Sequence, residues 1–215
     1  MSIPKVINYC WFGRNPKTEL MEKCISSWKK YCPDYEIIEW NEDNFDVNFC
    51  PYASKEYEQK RYGFLADVVR LKIIYDNGGI YLDTDVELKR NIDELLDNKA
   101  WFAYGTATEI NTGSGFGTEK NNWLVKELLD NYQSFGEHQK YEVCTKLDTE
   151  IFIKSFPNFA SDHDVEQDFD GIKIINNIWH YNIHHYTNTW VNNRQKLLNK
   201  ILGLFRKNNK VFYGE

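Results

Sequence analysis

The chain has 215 residues, enough for a domain with a substantial apolar core. Its net charge is −6, and the acidic residues are concentrated before position 171, which argues against a nucleic-acid-binding domain. The aromatic fraction is 16%, so rings are available to line a binding surface as well as the core. We expect one domain that spans residues 1–215.

The cysteines and the first residues indicate a cellular compartment. The five cysteines are an odd number and form no CxxC pair, which argues against a zinc knuckle and favours free thiols in a reducing environment. The N-terminal stretch MSIPKVINYCWFG lacks the basic and long apolar regions of a secretory signal. No apolar run approaches the ~20 residues needed to span a bilayer. We therefore expect a soluble, cytoplasmic protein.

Strand and helix patterns alternate along the first half of the chain. Apolar periodicity predicts strands at residues 5–12, 35–40 and 80–88, and helices at residues 18–32 and 52–76. Thr18 is a plausible N-cap of the first helix, and Pro33 stops it. The Gly-Gly pair at residues 78–79 ends the second helix.

The second half continues the alternation. Strands or strand edges are predicted at residues 101–105, 111–117 and 171–176, helices at residues 122–132, 143–156 and 195–207, and an aromatic loop at residues 178–192. This order predicts an α/β fold with a largely parallel sheet and helices on both faces. Ligands of such sheets collect at the carboxyl ends of the strands.

Two aspartates follow the apolar run in GGIYLDTDVEL, residues 78–88. Asp83 and Asp85 are one residue apart, so on a strand both carboxylates would share a face and repel each other. A divalent cation relieves that repulsion, and carboxylate oxygens favour Mg²⁺ or Mn²⁺. A DxD triplet alone is a weak signal, since such triplets also occur at solvated strand ends.

A second charged pair precedes the aspartates in FLADVVRLKIIY. Asp67 and Arg70 lie one helical turn apart within apolar surroundings, which predicts that they are partly buried. A surface ion pair there would contribute little to stability. A buried pair is a poor source of stability and indicates a functional role instead.

The stretch ADVVRLKIIYDNGGIYLDTDVEL resembles the signature of glycosyltransferase family 32, the DXD-motif sugar transferases. Three other elements resemble the family in the expected order: IPKVINYCWFG, INTGSGFG and HHYTNTW. The family includes bacterial capsule and surface-polysaccharide enzymes, and its site is similar to that of the clostridial glucosylating toxins. The resemblance touches nearly the whole chain.

The resemblance implies a GT-A fold and a chemistry. The implied activity is transfer of a sugar from a nucleotide diphosphate sugar, most simply a UDP-hexose, to a saccharide or lipid-linked saccharide acceptor. It implies retention at the anomeric carbon and a requirement for Mn²⁺ or Mg²⁺. A front-face attack guided by the leaving phosphate is the favoured route, because no nucleophilic carboxylate stands at a predictable position.

The resemblance also implies roles for residues on the donor side. Trp11 matches an aromatic residue that stacks on the donor's base. Asp67 and Arg70 match residues that hold donor-sugar hydroxyls and orient the diphosphate. Asn111 matches, more loosely, an asparagine near the donor sugar.

The implied metal ligands come from two parts of the chain. Asp83 matches an aspartate that bonds ribose or sugar and reaches the metal through water, and Asp85 matches the direct ligand. His185 lies five residues before Trp190, the spacing of the family's third ligand, although His184 is an alternative that the sequence leaves open.

Asn188 and Trp190 are the implied contacts to the diphosphate. Thr189 stands where serine is usual in the family, and Asn188 stands where glycine is common, so the fine geometry there departs from the pattern. The amphipathic stretch at residues 195–207 has basic flanks. It is interpreted as a packed helix, with contact to an anionic membrane surface as a second interpretation.

Two other classes of protein fit part of the pattern. Haloacid-dehalogenase-type phosphatases also carry a DxD, but after their first strand, and Glu87 occupies the position of their usual Thr or Val. A non-catalytic, metal-assisted carbohydrate-binding module would suit the aromatic content. Such a module would not need a buried Asp/Arg pair beside the DxD.

Overall fold

The computed structural model describes residues 3–134 and 143–187. The helices there are α1 (Glu19–Tyr31), α2 (Pro51–Glu58), α3 (Tyr62–Asn77), α4 (Trp123–Gln133) and α5 (Cys144–Ser155). The strands are β1 (Val6–Cys10), β2 (Glu36–Trp40), β3 (Gly79–Tyr81), β4 (Val86–Leu88), β5 (Ala100–Ala103), β6 (Phe116–Thr118), β7 (Gln167–Phe169), β8 (Ile172–Ile175) and β9 (Asn182–His184).

Seven of these strands form a central sheet in the order β2-β1-β3-β6-β5-β8-β7. The pairs β1–β2, β1–β3 and β5–β8 are parallel, whereas β6 is antiparallel to both β3 and β5, and β7 is antiparallel to β8. Five strands therefore run in one direction, and the expected α/β fold with a mostly parallel sheet is confirmed. A separate two-stranded sheet pairs β4 with β9.

The central sheet is apolar on both faces because side chains alternate along each strand. In β5, Phe102 faces a core shared with α2, α3, α4 and α5, whereas Trp101 faces a second core that includes the α1 residues Ile25 and Trp28. Helices therefore cover both faces, as expected for strands buried on two sides. A cleft lies at the carboxyl ends of two of the parallel strands, β1 and β3.

The first helix follows the sequence prediction. The Thr18 hydroxyl accepts a hydrogen bond from the Met21 N–H, which gives α1 its N-cap. The single helix predicted at residues 52–76 is wrong, because α2 and α3 are separate. Lys60 interrupts them in the left-handed region at φ 56°, a conformation that an α-helix cannot include.

The prediction of one strand at residues 80–88 is also wrong. β3 ends at Tyr81, and a turn closed by a Val86 N–H to Asp83 carbonyl bond of 3.0 Å leads into β4 of the second sheet. Gly79, at φ 96°, begins β3 immediately beside β1; a Cβ there would lie 2.8 Å from the Val6 carbonyl oxygen. The two aspartates thus occupy a turn between sheets and not a strand face.

Other elements differ from the predictions in the second half of the chain. Residues 111–115 form turns before the short β6, and the aromatic loop predicted at residues 178–192 contains β9. The helix predicted at residues 195–207 lies outside the described residues. All five cysteines are unpaired. Within the described ranges, no helix combines the length and apolar composition required to cross a bilayer.

Candidate active site

A cleft of about 500 Å³ opens at the carboxyl ends of β1 and β3. Its walls come from the segment after β1, from α3, from the first turn of α5 and from the residues that end and follow β9. Its location agrees with the general position of ligand sites in α/β sheets. Six of the residues predicted for the site line it: Trp11, Asp67, Arg70, Asp83, Asp85 and Asn111.

The cleft contains a cluster of two carboxylates and one imidazole. One ligand atom each from Asp83, Asp85 and His184 lies within 4.8 Å of the other two. The pairing of β4 with β9 produces this arrangement, because Val86 stands opposite His184 and brings the ring beside the aspartate turn. The His184 Nε2 lies 3.2 Å from the Asp85 Oδ1.

Asp85 is held in its ionised form. Burial alone would raise the pKa of Asp85, but hydrogen bonds from His184 and Thr187 outweigh burial and hold that pKa well below its usual value. Both the N–H and the hydroxyl of Thr187 donate to Asp85 Oδ2 at 2.8 Å. The carboxylate is therefore negative at neutral pH.

Two neighbours fix the orientation of the His184 ring. The Ser114 Oγ lies 2.9 Å from Nδ1, and the ring of Tyr186 stacks on the imidazole with centroids 4.0 Å apart. Because Nε2 faces the Asp85 carboxylate, the neutral ring carries its proton on Nε2, and Nδ1 accepts from the Ser114 hydroxyl. When Nε2 is a ligand, the proton belongs on Nδ1 and Ser114 becomes the acceptor, so the hydroxyl serves both states.

The sequence favoured His185 as the third ligand and left His184 as an alternative, and in the structure it is His184 that lies beside the two aspartates. His184 is the last residue of β9, and its ring contacts Asp85 and Ser114, whereas the next residue contacts a different group. The His185 Nε2 lies 3.0 Å from Glu87 Oε2, which Lys23 also contacts at 2.9 Å. His185 therefore belongs to a partly exposed ion-pair group outside the cluster, and His184 occupies the predicted position.

Arg70 is the buried cation beside the cluster. It is 3% exposed, it forms a salt bridge with Asp67, and its Nη1 lies 3.7 Å from Asp83 Oδ2. Its guanidinium also lies 5.3 Å from the centre of the Tyr81 ring, whose hydroxyl donates to Asp83 Oδ1 at 3.1 Å. Burial lowers the pKa of Arg70, but the Asp83 charge and the other neighbouring groups together outweigh burial and hold that pKa above its usual value. The predicted burial of this pair is confirmed.

The segment Asn111–Ser114 packs against Asp83. The Asn111 Oδ1 accepts hydrogen bonds from the N–H groups of Gly113 at 2.8 Å and Ser114 at 3.3 Å. The Gly113 carbonyl accepts from the Asp83 N–H at 3.2 Å, and a Cβ on Gly113 would lie 2.3 Å from Asp83 Oδ2. A side chain at Gly113 would displace the Asp83 carboxylate, because the segment passes directly against it. The predicted contact of Asn111 with a donor sugar stays a prediction.

Trp11 also lines the cleft. Its indole N–H donates to the Asn15 carbonyl at 2.7 Å, and the Lys17 ammonium lies 5.6 Å from its ring centre. The indole nitrogen is therefore already used, and only the ring surface is available for stacking. This geometry is compatible with the predicted stacking role of Trp11, which stays a prediction.

Helix α1 supports the turn from behind. The Trp28 indole N–H donates to the Val86 carbonyl at 2.7 Å, and the Ser27 hydroxyl accepts from the Leu88 N–H at 2.9 Å. Trp28 is fully buried, so these bonds are shielded from water. They fix β4, and through it the position of Asp85.

The cluster fits a hard divalent cation. Two carboxylates and an imidazole are donors that Mn²⁺ accepts readily and Mg²⁺ tolerates. The ligand atoms lie within 4.8 Å of one another, and Arg70 and Ser114 supply the outer contacts that orient such ligands. The residues that would hold the ion are Asp83, Asp85 and His184.

Some predicted residues lie outside the described part of the chain, and some contacts were missed. Asn188 and Trp190 follow the last described residue, so their predicted contact with a diphosphate stays a prediction. Tyr81, Thr187 and Tyr186 were not singled out from the sequence. Tyr81 lies in a strand pattern, where an aromatic residue usually indicates only a core position.

The region around the aspartates is similar to a known protein family. Residues 18–102 match the family model described as "Glycosyltransferase sugar-binding region containing DXD motif". The chain is 36% identical over 153 residues to inositol phosphoceramide mannosyltransferase 3 of Schizosaccharomyces pombe, which covers 68% of this chain and 42% of that protein. It is 24% identical over 170 residues to inositol phosphoceramide mannosyltransferase 1 of the same organism, covering 74% and 50%. The chain thus spans half or less of the length of these relatives.

Solved structures share the fold. The PaToxG glycosyltransferase aligns with a TM-score of 0.59 and 19% identity, covering 73% of this chain and 71% of that one. A second transferase structure aligns with a TM-score of 0.50 and 12% identity, covering 74% and 90%. The expected GT-A type of α/β fold is confirmed by this likeness.

Proposed function

We propose that the chain is a metal-dependent glycosyltransferase that moves a hexose from a nucleotide diphosphate sugar to a saccharide or glycolipid acceptor. The observation that carries the proposal is the convergence of Asp83, Asp85 and His184 within 4.8 Å in a cleft that also contains Arg70 and Trp11. The DXD sugar-binding region matched by residues 18–102 and the names of the relatives support the same activity. A carbohydrate-binding module is disfavoured because it would have no use for the buried Arg70.

A bound cation would supply Lewis-acid stabilisation of the departing diphosphate. Arg70 contributes a fixed positive charge in a water-poor environment, where it favours the same developing negative charge. Asp67 orients the guanidinium through its salt bridge. Trp11 offers its ring surface to the base, so the donor would extend from Trp11 to the cluster.

We expect retention at the anomeric carbon. The carboxylates that line the described part of the cleft are Asp67, Asp83 and Asp85. Asp67 is engaged by Arg70, Asp83 by Tyr81 and Asp85 by His184 and Thr187. None is available as a covalent nucleophile, so attack on the same face as the departing diphosphate is the favoured route.

The resemblance and the relatives suggest different candidates for the donor and the acceptor. A UDP-hexose is the donor expected from the resemblance, whereas the names of the relatives favour a mannosyl donor and an inositol phosphoceramide acceptor. Membership in family 32, a role in capsule or surface-polysaccharide synthesis and a cytoplasmic location remain parts of this proposal. Contact with a membrane through the basic C-terminal stretch also remains a proposal.

The proposal is tested by incubating the purified chain with Mn²⁺ and each of UDP-glucose, UDP-galactose, their N-acetylated forms and GDP-mannose. Release of the nucleoside diphosphate is measured with and without EDTA. We expect release from one donor that EDTA abolishes and that Asp85→Asn reduces by more than about 100-fold. His185→Ala is the matched control, because His185 faces Glu87 outside the cluster. Donor binding without release from any sugar would favour a binding module instead.

A further inference from the structure

We propose that Asp148 is a positioning residue that anchors the Asn111–Ser114 segment and thereby sets the positions of Asp83 and His184. This inference rests on the proposed function, because it assigns a role toward the same cluster. Asp148 was not singled out by any sequence motif, and it does not line the cleft.

Asp148 lies on α5 and is fully buried. Its Oδ2 accepts from the Thr112 hydroxyl at 2.8 Å and from the Thr112 N–H at 3.4 Å. Its Oδ1 has no hydrogen-bond partner among the described residues. A buried carboxylate with one unpartnered oxygen is costly to the fold, so its presence calls for a compensating role.

The segment that Asp148 anchors contacts both sides of the cluster. The Gly113 carbonyl accepts from the Asp83 N–H, and the Ser114 hydroxyl contacts His184 Nδ1. Thr112 lies directly before these two residues. A shift of the Thr112 backbone would therefore move one carboxylate and the imidazole together.

The remaining contacts of the segment would not replace this anchor. The Asn111 side chain bonds within the segment, to the N–H groups of Gly113 and Ser114, and the Asn111 N–H donates to the Ala103 carbonyl at 2.9 Å. That backbone bond ties the start of the segment to β5 but does not hold the Thr112 side chain. Asn182 donates to the Ser114 carbonyl at 2.8 Å, but it belongs to β9 beside His184 and moves with that strand. Asp148 is the side-chain contact that ties the segment to α5.

Thr112→Val is the most direct test, because it keeps the shape of the side chain and removes the hydroxyl donor. Thr118→Val is the matched control: Thr118 is equally buried, and its hydroxyl donates to the Glu119 carbonyl away from the cluster. Asp148→Asn keeps an acceptor oxygen for Thr112, whereas Asp148→Ala removes it. The readouts are Mn²⁺ affinity by electron paramagnetic resonance and amide hydrogen exchange in the metal-free protein.

We expect Thr112→Val and Asp148→Ala to weaken Mn²⁺ binding about 10-fold and to accelerate amide exchange of residues 111–114 roughly 5-fold. Asp148→Asn should leave the Mn²⁺ affinity and the amide exchange rates near the wild-type values. The Thr112→Val/Asp148→Ala double variant should show no larger change in either readout than Asp148→Ala. Thr118→Val should change neither readout.

Two outcomes separate this inference from the proposed function. If the wild type binds Mn²⁺ and Thr112→Val binds it equally well with unchanged exchange, Asp148 has only a stabilising role and the inference fails. If the wild type binds no Mn²⁺, the metal dependence of the proposed function fails. In that case the positioning role of Asp148 is tested by amide hydrogen exchange alone. Faster exchange of residues 111–114 and of the peptides that contain Asp83 and His184 in Thr112→Val supports the role, and unchanged exchange contradicts it.

Discussion

Replacing Asp148 by Asn should change how the stability of the protein depends on pH. Burial raises the pKa of Asp148 to about 6 from its usual value of about 3.8, although hydrogen bonds from Thr112 and the charge of Arg70 partly oppose burial. The other groups near it, Tyr132 and Cys144, stay neutral because burial also raises their pKa values. The ionised form of Asp148 is therefore disfavoured in the folded state relative to the unfolded state.

The sign follows from proton linkage. A carboxyl group whose pKa is higher in the folded state binds more protons there, so its contribution to stability is fully present below about pH 4 and is lost as pH rises through about 6. A shift of about 2 pKa units corresponds to about 3 kcal/mol, at 1.36 kcal/mol per unit. Asn cannot ionise, so the Asp148→Asn variant does not lose stability in this way as the pH rises.

The assay is urea denaturation of the wild type and Asp148→Asn at several pH values between 4 and 8. A constant difference is expected from the new amide, since its NH₂ replaces the unpartnered oxygen. Above this constant, the variant should gain about 3 kcal/mol between pH 4 and pH 8, which is roughly 6–12 °C in Tm. The exposed Asp97→Asn is the control for loss of one carboxylate. A difference curve for Asp148→Asn that is flat from pH 4 to 8 would refute the reasoning.

Three further substitutions test the geometry of the cluster. His184→Ala should abolish Mn²⁺ binding in a titration while His185→Ala leaves it within about 3-fold, because only His184 points at the aspartates; the opposite ranking would restore the choice favoured by the sequence. Ser114→Ala should weaken Mn²⁺ binding about 10-fold with an unchanged circular dichroism spectrum, since Nδ1 loses its partner; equal affinity would show that stacking on Tyr186 is sufficient. Trp28→Phe should lower the free energy of unfolding by about 1–3 kcal/mol, because the buried Val86 carbonyl loses its donor, and a value near zero in urea denaturation would contradict this.

The sequence predicted the elements whose determinants are local. Thr18, Pro33 and the apolar spacing between them defined α1, and the alternation of strands and helices predicted the class of fold. The buried Asp67/Arg70 pair could be predicted because its apolar surroundings lie on the same helix. These features depend on neighbours within a few residues.

The features that the sequence did not predict depend on contacts between distant residues. The YLDTDVEL pattern is compatible with one continuous strand, and β4 separates from β3 because Trp28 and Ser27 on α1 hold it. The choice between His184 and His185 depends on the register of β9 against β4, which neither strand reveals alone. Asp148 belongs to no motif, and its burial follows from the packing of α5.

The pairing of β4 with β9 has a consequence for the order in which the protein matures during synthesis. The central sheet is complete once β8 has emerged from the ribosome, yet the imidazole that closes the cluster arrives only with β9. A nascent or truncated chain that ends at residue 175 would contain both aspartates and would lack the His184 imidazole. Capture of a cation would then report that translation has passed residue 184.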